Sequence, residues 1–156
     1  METGGRGGPP GWDTAAAVSR ENVEVVRRIY EAWLGGEDDA ALELIDPAFE
    51  LHPAEGTDWV GLEDLYRGHE GMRDYLALIY EVFDDYRAEV EDMLDAGDQV
   101  VSLAVEHARG KASGAAVEAR HTAHVWTLRD GKAVRLELFW DRERALERAG
   151  LDARPS

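Results

Sequence analysis

The sequence predicts a single α+β domain in which helices precede a run of long antiparallel strands. In the first half of the chain apolar residues recur at helical spacing, as in Val23, Val26, Ile29 and Trp33. In the second half the spacing changes to two, and turn residues separate four alternating segments. The length of 156 residues is about that of one domain. We therefore expect helices packed on one face of a strongly curved antiparallel sheet.

The first half predicts three helices and two short strands. Residues 1–18 are rich in Gly and Pro, which is typical of a flexible tail. Ser19 is the expected N-cap of the first helix, which should end at Gly35 and Gly36. Further elements are expected at 38–45 (a helix closed by Pro47), 49–52 (a strand), 65–67 (a short strand within a loop) and 72–83 (a helix).

The second half predicts four strands and a final helix. Asp130-Gly131 separates the last two strands, and this dipeptide is typical of a two-residue hairpin turn. Gly150 should end the last helix, so the domain is expected to span residues 19–151, followed by a short tail at 152–156. The four strands are expected at 86–94, 100–109, 117–128 and 133–140, and the helix at 144–149.

Composition excludes several classes of partner and cofactor. The net charge is −16, from 33 acidic and 17 basic residues, and such a surface repels nucleic acid and anionic membranes. The chain has no cysteine and no apolar run near the ~20 residues of a membrane-spanning helix. Because its first residues lack an apolar segment, we expect no secretory signal. Neither a P-loop nor a GxGxxG motif is present. We expect a cytoplasmic protein without a cofactor.

The last hairpin predicts which side chains share a face of the sheet. If Asp130 and Gly131 form the turn, Arg129 pairs with Lys132 and the rest of the register follows. One face should then be polar and aromatic, and the other should be a continuous sheet of Val and Leu. The expected members of the mixed face are Thr122, His124, Trp126, Arg135, Glu137 and Phe139, with Ser102, Ala104 and Glu106 from the preceding strand.

His124 and Glu137 are the leading candidates for chemistry. In the expected register they oppose each other, with Cβ atoms ~5 Å apart. A carboxylate beside an imidazole fixes its tautomer, which prepares a general acid or base. Glu106 on the neighbouring strand is a candidate third member. The alternative is a buried polar pair that satisfies itself and has no chemical role.

Three segments of the chain resemble the NTF2-like superfamily, and within it the SnoaL-like proteins related to polyketide cyclases and ketosteroid isomerases. They are ENVEVVRRIYEAWLGGEDDAALELIDPAFELHP, YRGHEGMRDYL and HVWTLRDGKAVRLELFWDRERALERAGL. The resemblance implies a cone-shaped pocket between a curved sheet and the helices, and often a homodimer. The superfamily includes isomerases, cyclases, epoxide hydrolases and proteins without chemistry, so the fold alone does not assign an activity.

The resemblance also implies roles for single residues. His52 matches the position of the general-base carboxylate of the isomerase-like members. Their oxyanion-donating tyrosine falls at Ile29, with Tyr30 turned about 100° around the helix, and their neutral acid falls at His124. Ketosteroid isomerase activity is therefore not expected. A cyclase or epoxide-hydrolase site would need an aspartate such as Asp141, which could equally cap the final helix.

Comparison with the isomerase-type members favours a pocket on the mixed face and a homodimer through the apolar face, although the apolar face could instead pack against the helices. The pocket is expected to hold a small apolar ligand or substrate. Its expected lining is Tyr30, Trp59, Tyr66, Glu106, Trp126, Phe139 and Asp141. The expected interface is Val101, Leu103, Val125, Leu136 and Leu138.

Two classes of function stay open. One is an enzyme of isomerase, cyclase or hydrolase type that moves a proton with His124, Glu137 and His52. The other is a non-catalytic binding, dimerisation or accessory module. A metal site is not expected, because His121 and His124 are three apart on a strand and point to opposite faces.

Overall fold

The computed structural model describes residues 10–54, 65–110 and 116–151. It confirms the predicted α+β class: helices pack on a curved, open sheet of six strands. The helices are α1 (Pro10–Leu34), α2 (Asp38–Leu42), α3 (Gly68–Val82) and α4 (Arg142–Arg148). The strands are β1 (Ile45–His52), β2 (Tyr66–Arg67), β3 (Phe83–Ala96), β4 (Gln99–Gly110), β5 (Ala116–Arg129) and β6 (Lys132–Phe139).

The strand order across the sheet is β2-β1-β6-β5-β4-β3. Strands β3 to β6 form the long antiparallel meander that the alternating pattern predicted. Strand β1 lies parallel to β6, so the sheet is not wholly antiparallel. Among the described residues, no helix combines the length and apolarity that crossing a bilayer would require.

Several element boundaries differ from the sequence prediction, and two of the differences involve prolines. Helix α1 begins at Pro10, so the expected N-cap at Ser19 is wrong and residues 10–18 are helical. Proline is favoured in the first turn of a helix and Ala15 to Ala17 have the highest helix propensity, which explains the extension. Pro47 lies inside β1, where a register shift between Ile45 and Glu50 accommodates it, and does not end a helix.

The turn of the β5–β6 hairpin is the one predicted. Arg129 pairs with Lys132, and Asp130 and Gly131 have φ angles of 54° and 78°. Positive φ at both central residues is the signature of a type I′ turn, which Asp-Gly favours because glycine carries no Cβ. The starting register of the hairpin is therefore confirmed.

The predicted register fails a few residues beyond this turn. Leu128 pairs with Ala133 but Thr127 pairs with Arg135, so Val134 is an extra residue on β6. Every later partner is offset by one, and Val125 rather than His124 opposes Glu137. The predicted pairing of His124 with Glu137 is therefore wrong.

The offset moves the side chains of β6 to the opposite face of the sheet. Leu138 shares a face with its partner His124, and Leu136 with its partner Trp126. We call this the helix-covered face, because α1 and α3 pack on it and bury its core. That core includes Ile29, Trp33, Phe49, Leu51, Tyr75, Leu76, Val100, Trp126 and Leu136.

We call the opposite side, which carries Val101, Ala123, Val125 and Glu137, the outer face. Helix α4 packs on it through Ala145, so Val101 and Val125 are fully buried within one chain. The expected placement of Leu136 and Leu138 on this face is wrong, because both belong to the helix-covered side. The homodimer itself stays a prediction. Leu136 and Leu138 no longer belong to the residues expected at its interface.

Candidate functional site

A cluster of hydrogen-bonding side chains lies at the centre of the helix-covered face. Strand β5 contributes three members at alternating positions, since every second side chain of a strand points to the same face. Strands β3 and β4 contribute one each, and α1 crosses above them with the last. We call this the polar cluster: Tyr30, Tyr86, Glu106, Thr122, His124 and Trp126.

His124 is bonded at both ring nitrogens. Its Nδ1 lies 2.6 Å from the hydroxyl of Tyr30, and its Nε2 lies 3.1 Å from Oε2 of Glu106. The indole Nε1 of Trp126 donates to the Tyr30 hydroxyl over 3.0 Å. With a neutral imidazole, Tyr30 donates to Nδ1 and Nε2–H donates to Glu106. All hydrogen bonds then run in one direction, towards the carboxylate.

Glu106 is the acceptor on which the cluster converges. Thr122 donates to its Oε2 over 2.8 Å, and the hydroxyl of Tyr86 donates to its Oε1 over 2.9 Å. Burial raises the pKa of this carboxyl, but the hydrogen bond from His124, the positive charge that His124 carries when it is protonated, and the two hydroxyl donors outweigh burial and hold the pKa below its ordinary value. Glu106 is therefore ionised at neutral pH.

Within the His124–Glu106 pair the carboxylate is the more accessible group. The side chain of Glu106 is 21% exposed, whereas that of His124 is 5% exposed. A small molecule that approached the pair would therefore meet Glu106 first.

Aromatic rings surround the cluster. Tyr30 meets Trp126 edge-on at 5.6 Å between centroids and stacks on Trp33 at 6.2 Å. Burial raises the pKa of Tyr30 and of Tyr86, so both hydroxyls stay protonated and able to donate. The hydroxyl of Ser102 is buried beside Tyr30 without reaching hydrogen-bond geometry with another described group.

A groove of about 440 Å³ opens between α1 and β3. Tyr30, which also belongs to the polar cluster, forms part of its wall. The other wall residues are the apolar Val23, Leu34, Val90 and Met93 and the charged Arg27, Glu31, Glu91 and Asp92. The volume falls in the range of roughly 300–1,000 Å³ that is usual for small-molecule sites.

His52 and Glu137 lie on the outer face, so the sheet separates them from His124. They are register partners in the parallel β1–β6 pair. His52 Nε2 lies 3.2 Å from Oε1 of Glu50, while Glu137 is 9% exposed and accepts hydrogen bonds from Arg148 at 3.1 and 3.2 Å. The three predicted catalytic side chains are therefore not brought together.

Phe139 and Asp141 accompany His52 and Glu137 around a cavity of about 200 Å³ on the outer face. Oδ1 of Asp141 accepts a hydrogen bond from the backbone N–H of Glu143, which confirms the alternative that Asp141 caps the final helix. Tyr66 is buried edge-on against Tyr75, and Trp59 lies outside the described residues.

Three of the expected lining residues, Tyr30, Glu106 and Trp126, belong to the polar cluster. The sequence reasoning missed Thr122 and Tyr86 as donors to Glu106. The alternation of β5 is the signal that places Thr122 beside His124. No local pattern indicates Tyr86, because its contact depends on how β3 pairs with β4.

Comparison with protein families gives a match to the SnoaL-like domain over residues 26–136, which is more than half of the chain. The chain belongs to the SnoaL-like domain family. The resemblance stated from its sequence is thereby confirmed. No curated protein matches the chain.

Solved structures with the NTF2-like fold align along most of this SnoaL-like chain. TerC co-crystallised with polyporic acid is 26% identical, with a TM-score of 0.71, and the alignment covers 83% of this chain and 98% of that one. An NTF2-like protein of Burkholderia thailandensis is 25% identical, with a TM-score of 0.70 and coverages of 86% and 98%. A protein of Jannaschia sp. assigned as a SnoaL-like polyketide cyclase is 24% identical, with a TM-score of 0.68 and coverages of 97% and 100%.

Proposed function

We propose that this SnoaL-like protein binds a small hydrophobic molecule on the helix-covered side and exchanges a proton with it through Glu106 and His124. The observation that carries the proposal is the set of hydrogen bonds that converge on Glu106. Its carboxylate has donors from three side chains, yet it keeps 21% of its side-chain surface. Glu106 is ionised at neutral pH and partly exposed, so it can accept a proton from a molecule that reaches it.

His124 and Tyr30 support the base in this proposal. When Glu106 gains a proton its negative charge disappears, and the donors that had stabilised the charge lose part of their interaction. His124 can compensate, because its two ring nitrogens connect the hydroxyl of Tyr30 with the carboxylate of Glu106. The arrangement suits a step in which a proton is taken from carbon and returned to a neighbouring atom.

The groove beside Tyr30 is the proposed binding region. The apolar side chains of this groove can contact a hydrophobic ligand, and Tyr30 connects the groove with His124. Polyporic acid is the first compound to titrate, since the similar TerC was co-crystallised with it. Isothermal titration calorimetry on the wild type and on Glu106→Gln measures whether this compound binds and whether the carboxylate takes part.

A generic proton-abstraction probe tests the chemistry without knowledge of the substrate. The ring of 5-nitrobenzisoxazole opens when a base removes its acidic C–H proton and the N–O bond breaks. We expect saturable turnover by the wild type and a loss of about 10²-fold in Glu106→Gln, because a positioned general base contributes about 10²–10⁴-fold.

Glu137→Gln is the matched control. Glu137 is a comparably buried carboxylate of the same sheet, with 11% of its side chain exposed, but it lies on the outer face. We expect its variant to keep wild-type turnover. Equal turnover by wild type and Glu106→Gln would contradict the proposal, and a loss confined to Glu137→Gln would restore the outer face as the site.

The second candidate is a binding module without chemistry. It is favoured by one observation, namely that His124 is 4% exposed and already bonded at both ring nitrogens. A protein of this class would bind polyporic acid or a similar compound and show no turnover of the probe. The two experiments together therefore separate the candidates.

A further inference from the structure

Trp33 contacts both tyrosines that donate to the His124–Glu106 pair. It lies one turn after Tyr30 on α1, and their ring centroids are 6.2 Å apart with an interplanar angle of 25°. Tyr86 of β3 stacks on the same indole at 6.3 Å and 29°. A helix and an edge strand thus meet at one side chain, which is 5% exposed.

The two tyrosines act on opposite ends of the pair. The hydroxyl of Tyr30 meets Nδ1 of His124, and the hydroxyl of Tyr86 donates to Oε1 of Glu106. The hydroxyl oxygen of a tyrosine is fixed to its ring, so a change in the orientation of the ring moves the hydroxyl as well. Trp33 therefore contacts the rings that carry both donors.

Trp33 is itself anchored. Its Nε1–H donates over 3.2 Å to the hydroxyl of Tyr80 on α3, and Tyr80 is 42% exposed. The indole is thus carried by α1, stacked on Tyr86 of β3 and hydrogen-bonded to Tyr80 of α3, so contacts with three elements fix its orientation.

We propose that Trp33 is a positioning residue, which keeps the hydroxyls of Tyr30 and Tyr86 directed at the His124–Glu106 pair. The proposal deepens the proposed function and rests on it only for the identity of the reacting pair. Among the described residues, the hydrogen bond and the ring contacts of Trp33 are to Tyr30, Tyr80 and Tyr86, so its effect on the pair passes through the tyrosines.

Removal of the indole should change the pKa of Glu106, whereas an ordinary loss of packing would lower only the stability of the fold. The hydrogen bond from Tyr86 is one of the interactions that hold the pKa of Glu106 below its usual value. If Tyr86 turns away, that pKa rises. A buried residue elsewhere in the same core can be truncated at a similar cost in stability without this change.

The test compares Trp33→Leu and Trp33→Phe with Leu76→Ala. Leu76 is 5% exposed in α3 and belongs to the same core, so its variant leaves a void without altering a stacked ring. Carbon-13 NMR of the glutamate carboxyls follows the titration of Glu106, whose signal is assigned by its absence in Glu106→Gln. Turnover of 5-nitrobenzisoxazole gives kcat and KM for the same proteins.

We expect Trp33→Leu to raise the pKa of Glu106 and to lower kcat about tenfold with KM within about twofold, because small misplacements of catalytic groups are costly. Trp33→Phe should restore both values, since a ring is kept. Leu76→Ala should lower the melting temperature and leave the Glu106 titration at its wild-type position.

Two results would overturn the positioning role: a Glu106 titration unchanged in Trp33→Leu, or an equal shift in Leu76→Ala. Trp33→Met fills more of the void and replaces Trp33→Leu, with the same expectations, if the leucine variant does not fold. If no protein turns over the probe, the proposed function fails while the carboxyl titration still decides the role of Trp33.

Discussion

The hydroxyl of Tyr30 and Nδ1 of His124 lie 2.6 Å apart, although 94 positions separate the two residues in the chain. This contact joins the first helix to the fifth strand at the centre of the helix-covered face. It also turns a helix residue into the donor for a histidine that the sequence had paired with a carboxylate from the next strand. The part of the polar cluster that involves Tyr30 is therefore a product of the tertiary packing of α1 on the sheet.

Replacing Glu106 by Gln should change the acid stability of the protein. The folded state holds the pKa of Glu106 below 4.5, so its ionised form stabilises the fold. That contribution is complete above the pKa of the unfolded state and is lost as pH falls through the lowered folded-state pKa. The free energy of unfolding of wild type and variant should therefore converge as pH falls from about 7 to about 3.

Urea titrations at several pH values measure this convergence. Glu43→Gln, which removes an exposed carboxylate at the end of α2, controls for the change in net charge. A difference between wild type and Glu106→Gln that stays constant over the whole pH range would show that the ionised carboxylate adds nothing to stability.

Three of the five tyrosines should resist ionisation at alkaline pH. Burial raises the pKa of Tyr30, Tyr75 and Tyr86 above the ordinary value of 10.0. Because the folded-state values are raised, the stability that these groups contribute is complete below about pH 10 and is lost as pH rises further.

The ultraviolet absorbance of tyrosinate measures this directly. We expect these three phenols to ionise only when the protein unfolds, in one cooperative step that coincides with the loss of circular dichroism. Tyr75→Phe should shift the alkaline unfolding to higher pH. Gradual ionisation of all five phenols in a folded protein would contradict the burial of Tyr30, Tyr75 and Tyr86.

The sequence predicted the elements well because each has a local cause. Helical spacing located α1 and α3, alternation located the four long strands, and Asp130-Gly131 located the last turn. For the candidate site, the sequence predicted several of the residues but not the contacts between them. His124, Glu106, Tyr30 and Trp126 were named from the sequence, but the contacts of Tyr30 with His124 and Trp126 depend on how α1 packs across the sheet. The contact between His124 and Glu106 depends on the pairing of β4 with β5.

One extra residue explains why Glu137 was misplaced. Side chains alternate along a strand, so the bulge at Val134 reverses the face of every later residue of β6. A weak signal exists, because the consecutive apolar residues Ala133 and Val134 precede a segment, 135–138, that alternates strictly. The assignment of Leu136 and Leu138 to the core beneath the helices would also have indicated the one-residue shift in register.

Replacing Arg142 by Met should loosen the outer face. Nη2 of Arg142 donates to the carbonyl of Ala104 over 2.9 Å and to Glu91 over 2.8 Å, and its Nε donates to the carbonyl of Thr122 over 3.3 Å. The guanidinium thus connects α4 with β3, β4 and β5. We expect a loss of about 2 kcal/mol in urea unfolding, as for hydrogen bonds from charged groups.

Arg129→Met provides the comparison, since Arg129 is exposed at the end of β5. Its free energy of unfolding should stay within about 0.5 kcal/mol of the wild type, as is usual for surface substitutions. Equal losses in the two variants would show that charge alone, and not the contacts of Arg142, determines the result.

Replacing Gly71 by Ala should destabilise the protein even though alanine is the better helix former. Gly71 is buried in α3, and a Cβ there would lie 2.8 Å from the backbone carbonyl carbon of Tyr66, which cannot move aside without shifting β2. Helix propensity alone would favour alanine by about 1 kcal/mol. The clash should outweigh this gain and leave a net loss of about 1–3 kcal/mol. Urea unfolding of the variant decides the sign, because a stabilised protein would mean that α3 and β2 do not approach as closely as the glycine permits.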